Sequence, residues 1–210
     1  MSTQPAPDER FAVPATAEAI ERAAEAARGN GLVVEIVDTV EDARKLVHGL
    51  LPRDKAVFTA SSETLRLSGI LDDVDESGAF VSLRAQLRDA GVDRDPEQIR
   101  LRSMTAEVVV GSVHAVTEQG HLLAASASGS QLGLYAYGAG RTVWVVGAQK
   151  VVPDLETALR RIRSYSSPKE NERCMQVYGQ PSVLGKILII EREVFPERDT
   201  LILVRSAIGF

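Results

Sequence analysis

His114, Glu118 and His121 are spaced four and three residues apart, the separation at which side chains on one helical face can converge on a metal ion. Their neighbours argue against a helix. Val113, Val116 and Thr117 are β-branched and Gln119-Gly120 is a turn pair, so the segment reads as a strand and a turn. Glu118 alone suggests chemistry of another kind. A carboxylate on a turn directly after an apolar strand can face the cleft at a strand's carboxyl end, where open α/β sheets bind ligands. There it can act as a nucleophile or general base; the plain alternative is a solvated turn glutamate. Gly129-Ser130 can present backbone N–H groups to an anion at a helix start, or simply form a tight strand-to-helix connection. The glycines from 129 to 140 contain no Gly-Lys-Ser/Thr and no GxGxxG after a strand, so they form no nucleotide loop of either known type. Cys174 follows the charged stretch 169–173 without a nearby histidine in sequence, which does not suit a catalytic thiol.

The elements that must position these residues belong to one domain. The chain has 210 residues, 44% hydrophobic and 25% charged, which is enough to build a core without disulfides. Acidic residues outnumber basic ones, 29 to 24, and aromatics are 5%, so the chain is a poor non-specific nucleic-acid binder. A single cysteine excludes an intramolecular disulfide and leaves too few ligands for a Cys-based iron–sulfur or zinc site; no metal or cofactor is expected, and a reducing cytoplasm fits best. Residues 1–14 are polar with three prolines and no apolar run, reading as a disordered arm rather than a signal peptide. The longest apolar runs, such as 143–146 and 187–190, are too short to span a membrane.

Residues 15–28 read as an alanine-rich helix capped by Thr16, 32–37 as a strand, and 39–51 as a helix begun by Thr39 and closed by Pro52. A strand at 55–59 leads to a short helix capped by Ser61 or Ser62. Helices follow at 79–90 and 96–104, their arginines alternating with acids as a solvated face. The run 106–116 is a strand interrupted by Gly111-Ser112, with 121–125 returning. A short helix at 130–137, a buried strand at 141–146 with Trp144, a helix at 153–165, and strands at 186–192 and 200–205 complete the chain. The alternation gives α/β, with a mostly parallel sheet flanked by helices.

Residues 106–120, ending Ala115-Val116-Thr117-Glu118-Gln119-Gly120, resemble the central A-x-T-E-x-G element of LUD-domain proteins, the lactate-utilisation family that includes LutC. Residues 145–159, a strand, a turn carrying Lys150 and a helix, resemble the family's second signature, and the resemblance covers roughly residues 18–210. It implies a NagB/RpiA/CoA-transferase-like α/β fold. It also implies a role in organic-acid utilisation: binding a small anionic ligand, or serving as a subunit of a lactate-oxidising assembly. Gln180 to Lys186 contains no cysteine, so any iron–sulfur role falls to an oxidoreductase partner. Glu118-Gln119-Gly120 is similar to the catalytic-glutamate turn of CoA transferases. The alternative function is therefore an acyl- or CoA-transferring enzyme with Glu118 as nucleophile, although no glycine-rich CoA loop lies upstream. Glu118 is the candidate catalytic residue; Thr117, Gly120, Gly129, Ser130, Arg141 and Lys150 are candidate ligand contacts, for an organic acid or an acyl-CoA. Neither a nucleic-acid nor a membrane partner is expected, and self-association as a homo-oligomer stays open.

Overall fold

A computed structural model describes residues 6–210. In chain order its helices are α1 (Ala17–Gly29), α2 (Val40–Leu50), α3 (Glu63–Leu67), α4 (Ile70–Asp75), α5 (Leu83–Asp89), α6 (Pro96–Ser103), α7 (Leu155–Arg161) and α8 (Ser167–Tyr178). Its first five strands are β1 (Val33–Val37), β2 (Ala56–Thr59), β3 (Val81–Ser82), β4 (Val108–Gly111) and β5 (Ala115–Thr117). The remainder are β6 (Leu122–Ser126), β7 (Arg141–Gly147), β8 (Val151–Val152), β9 (Lys186–Ile190) and β10 (Asp199–Val204).

The helix starts follow side-chain capping. Thr16, Thr39, Ser62, Ser82, Asp95 and Asp154 each accept a backbone N–H of the first turn that they precede. Six strands pair in the order β1-β10-β7-β4-β2-β3, all parallel. The fold is thus the expected α/β type, with a parallel sheet flanked by helices.

Alternating residues of the central strands face two separate cores. Val143 and Val145 of β7 point with Val108, Val110, Ile202 and Val204 toward α2, α3 and α4. Trp144 and Val146 point the other way, with Phe58, Val109, Leu201 and Leu203, toward α1 and a second sheet. That sheet, ordered β8-β5-β6-β9, is mixed: β5 runs parallel to β8, while β6 is antiparallel to β5 and β9. Its far side is covered by Ala158 and Ile162.

The second sheet is the main departure from the sequence reading, which ran 106–116 as one interrupted strand. The chain leaves the large sheet at Gly111, where a Cβ would fall 1.9 Å from the Tyr135 hydroxyl oxygen. Ser112 then donates to the Val145 carbonyl at 2.7 Å, and β5 begins in the other sheet. The expected helix at 153–165 does not stop at Tyr165. It passes through a π-helical turn at Ile162–Ser166 into α8, with Pro168 tolerated near the start of that helix. The expected helix at 130–137 is reduced to a π-helical turn, Leu134–Gly138, while α4 is an addition within the acidic stretch.

The amino-terminal segment also differs from a disordered arm. Glu9–Ala12 forms a 3-10 turn, the Asp8 N–H donates to the Ser164 carbonyl at 2.8 Å, and Phe11 packs beside the Ala158–Ile162 layer. The part of that expectation concerning residues 1–5 lies outside the described residues. Among the described residues no helix is long and apolar enough to cross a membrane.

Candidate functional site

A cavity of about 280 Å³ opens where β2 and β4 end, the edge at which parallel sheets bind ligands. Ser61 and Ser62 follow β2, and Ser112 follows β4. Ser126 ends β6, Ser128, Ser130 and Gln131 come from the connection after it, and Glu170, Arg173 and Cys174 from α8. Lys150, His114 and Tyr135 also line it.

Lys150 is carried by the 3-10 turn Ala148–Lys150 that follows β7. It is 2% exposed. Its Nζ donates to Thr64 Oγ1 at 2.9 Å and to Ser112 Oγ at 3.1 Å, and among the described residues no carboxylate pairs with it. Burial, reinforced by the nearby Arg161 charge, holds its pKa well below the usual lysine range. Arg161 is itself fully buried. It donates to the carbonyls of Gln149 and His114 and to Ser166 Oγ, while Nη2 has no partner among the described residues. Burial lowers its pKa to about 10.

His114 Nδ1 accepts the Ala125 N–H at 3.0 Å, so the neutral ring carries its proton on Nε2. Burial first, then the Lys150 and Arg161 charges, lower its pKa to about 3. The cavity's carboxylates already have partners: Glu170 holds Arg173 at 2.7 Å and Glu63 holds Arg66 at 2.8 Å. Cys174 Sγ donates to Glu170 at 3.3 Å, and burial raises its pKa, so it is a poor nucleophile. Neither of these side-chain carboxylates reaches the buried amine, whose partners are the Thr64 and Ser112 hydroxyls.

A family model of the LUD domain matches residues 20–204. The chain belongs to the LUD domain family. This LUD domain also resembles the crystal structure of a DUF162 family protein from Deinococcus radiodurans. The two are 11% identical over 91% of this chain and 99% of that one, with a TM-score of 0.45, too distant a likeness to bear on the site. No curated protein matches the chain.

In this LUD domain the A-x-T-E-x-G element does not line the Lys150 cavity. Glu118 forms an ion pair with Arg22 of α1 at 2.7 Å. Thr117 is buried; its Oγ1 accepts the His121 N–H and its own N–H donates to the His121 carbonyl, closing the β5–β6 turn. Gly120, at φ +80°, lies against the backbone of α1. Asn30, at the end of that helix, donates from Nδ2 to the Gln119 carbonyl at 2.8 Å. The element anchors a hairpin to α1.

Of the other expected contacts, Ser130 and Lys150 line the cavity together. Gly129 uses its N–H on Ser126 Oγ and Ser130 uses its own on Ser128 Oγ, so neither is free for an anion. Arg141 begins β7, at the end of the strand opposite Lys150, and donates to the Leu50 carbonyl at 3.3 Å. His114, Glu118 and His121 do not gather, and among the described residues no group of three His, Cys, Asp or Glu side chains is placed to hold a metal. Sequence reasoning weighed His114 only as a metal ligand and missed Ser112, Thr64, Arg161 and the α8 wall. The available signal was the pair of serine-bearing exits from apolar strands, Ala60-Ser61-Ser62 and Gly111-Ser112.

Proposed function

We propose that this LUD domain serves organic-acid utilisation by binding a small carboxylate such as lactate in the Lys150 cavity. In this reading the redox chemistry is supplied by an iron–sulfur oxidoreductase partner in the reducing cytoplasm that a single-cysteine chain suits. One observation carries the reading: a fully buried amine at an open, hydroxyl-lined cavity has only neutral acceptors for partners. A buried cation without a counter-charge is costly, and a bound carboxylate supplies that charge. The hydroxyls of Ser61, Ser62 and Ser128, which only accept hydrogen bonds within the protein, and the His114 Nε2–H offer further donors for the carboxylate and for a 2-hydroxyl or 2-oxo group.

The acyl-transfer alternative requires Glu118 at the reacting ligand. Its ion pair with Arg22 and its absence from the cavity lining argue against that role. Titration calorimetry with lactate and pyruvate tests the proposal. Saturable binding to the wild type that is lost in Lys150→Met supports it; no binding of either acid overturns it.

A further inference from the structure

The hydrogen-bonding inventory around Lys150 matches an amine better than an ammonium. Ser112 Oγ donates its proton to the Val145 carbonyl at 2.7 Å, and Thr64 Oγ1 donates to the Ile208 carbonyl at 3.3 Å. Both hydroxyl oxygens therefore face Lys150 as acceptors. An NH₂ group has two N–H bonds and one lone pair, so these two acceptors take both N–H bonds and leave only the lone pair. An ammonium would carry a third N–H with no protein acceptor, in a side chain that is 2% exposed. Burial and the neighbouring Arg161 charge act in the same direction. The nucleophilic form is thus the one this site holds at rest, and the nitrogen's remaining direction is the one without a protein partner.

We propose that Lys150 is a carbonyl-reactive lysine, forming an imine with a small 2-oxo acid bound in this cavity. The inference rests on the organic-acid reading and names the chemistry of the same site. The Nζ lone pair attacks the ketone carbon, and the N–C bond forms as the C=O π electrons move to oxygen. The nitrogen's proton passes to that oxygen. The carbinolamine then expels it as water once a second proton has been transferred, leaving the C=N bond. Amine and ketone in, imine and water out: nothing is oxidised or reduced, and no co-reactant is needed. When the imine nitrogen takes up a proton, the ligand's own carboxylate neutralises the new charge. The neutral His114 ring, with its proton on Nε2, lines the same cavity and serves as a positioning donor toward the carbonyl oxygen.

Borohydride trapping tests this on the whole chain. The protein is incubated with pyruvate or glyoxylate, treated with sodium borohydride, and mapped by peptide mass spectrometry, with pyruvate binding measured in parallel without the reductant. The expected result is one stable N-carboxyalkyl adduct on Lys150, its loss in Lys150→Met, and no comparable labelling of Lys45, Lys55, Lys169 or Lys186. Peptide mapping of the wild type stands even if the variant folds poorly. Pyruvate binding without an adduct on Lys150, or labelling spread over the surface lysines alone, overturns the imine and leaves organic-acid binding intact. Failure of pyruvate and lactate to bind at all overturns both.

Discussion

Gly120 lies so close to α1 that a Cβ on it would fall 2.4 Å from the backbone nitrogen of Ala27. Ala23, Ala24 and Ala27 give α1 a face flat enough for that approach, and all three are buried. The glycine also sits at φ +80°, a conformation that side-chain-bearing residues avoid. Gly120→Ala is therefore expected to destabilise the protein by at least about 2 kcal/mol in chemical denaturation. Glu118→Gln, which removes only one member of a partly exposed ion pair, should cost less than about 1 kcal/mol and leave organic-acid binding unchanged. A stable Gly120→Ala protein, or a Glu118→Gln protein that no longer binds ligand, contradicts the anchoring role assigned to this turn.

Trp144 is fully buried and stacks edge-on against Tyr135 at a centroid distance of 5.8 Å. Tyr135 in turn lines the Lys150 cavity. Trp144→Ala should cost roughly 3–5 kcal/mol and weaken ligand binding through the released Tyr135. The indole Nε1–H has no partner among the described residues, so Trp144→Phe removes an unsatisfied donor and should cost no more than about 1.5 kcal/mol. Equilibrium unfolding of both variants checks the pair; near-equal losses contradict it.

The amino-terminal turn is expected to contribute to stability. Lys169 reaches Glu9 at 2.7 Å, the Arg160 guanidinium lies 5.9 Å from the Phe11 ring centroid, and the Ala15 N–H donates to the Ala148 carbonyl two residues before Lys150. Removing residues 2–12 should cost about 1–2 kcal/mol, mostly from the Phe11 side chain. A thermal midpoint equal to that of the full chain would show that the docked turn contributes nothing.

Two buried groups pull the pH dependence in opposite directions. His114 has its pKa lowered from 6.5 to about 3, so between those values the unfolded chain binds a proton that the fold refuses. Stability from this group falls as pH drops through that window. Asp199 is raised from 3.8 to about 7, chiefly by burial, so the fold holds a proton that the unfolded chain releases. Its contribution falls as pH rises from 3.8 to about 7 and is level above that. Where the windows overlap the two slopes cancel. Asp199→Asn should expose the His114 slope, up to about 1.4 kcal/mol per pH unit, as a loss of stability on acidification that the wild type lacks. Denaturation series at matched pH values read this directly, and parallel curves for the two proteins contradict it.

The large sheet was legible because its central strands are buried on both faces and read as nearly continuous apolar runs, as in 142–146 and 201–204, while the edge strand within 32–37 showed in its β-branched residues. Helix starts at Thr16, Thr39 and Ser62 were legible from local capping chemistry. The second sheet was not: β5 and β8 have three and two residues, and periodicity over so short a span distinguishes little. α8 was hidden by Pro168 and by a charged run that resembles a loop.

Lys150 was visible as the lysine of a turn between a strand and a helix, but nothing local to Glu118 shows where its carboxylate points. A glutamate beside a turn glycine looks the same whether it faces a ligand or pairs with an arginine 96 residues away. The cavity brings together the chain exits after β2 and β4, the segment after β6, and α8, and no local pattern joins them.

Proton-linked lactate binding is the most direct test of Lys150 as the receiver of an organic acid. Lactate has no ketone, so it probes the site without imine formation. Calorimetric titrations near neutral pH, in buffers of different ionisation enthalpy, measure protons exchanged per ligand bound. Lysine enters this equilibrium with its pKa lowered by burial, and an incoming carboxylate raises it again. Net proton uptake with lactate, abolished together with binding in Lys150→Met and retained in Glu118→Gln, is the predicted result. Lactate binding that is undiminished in Lys150→Met, or that proceeds with no proton uptake by the wild type, contradicts it.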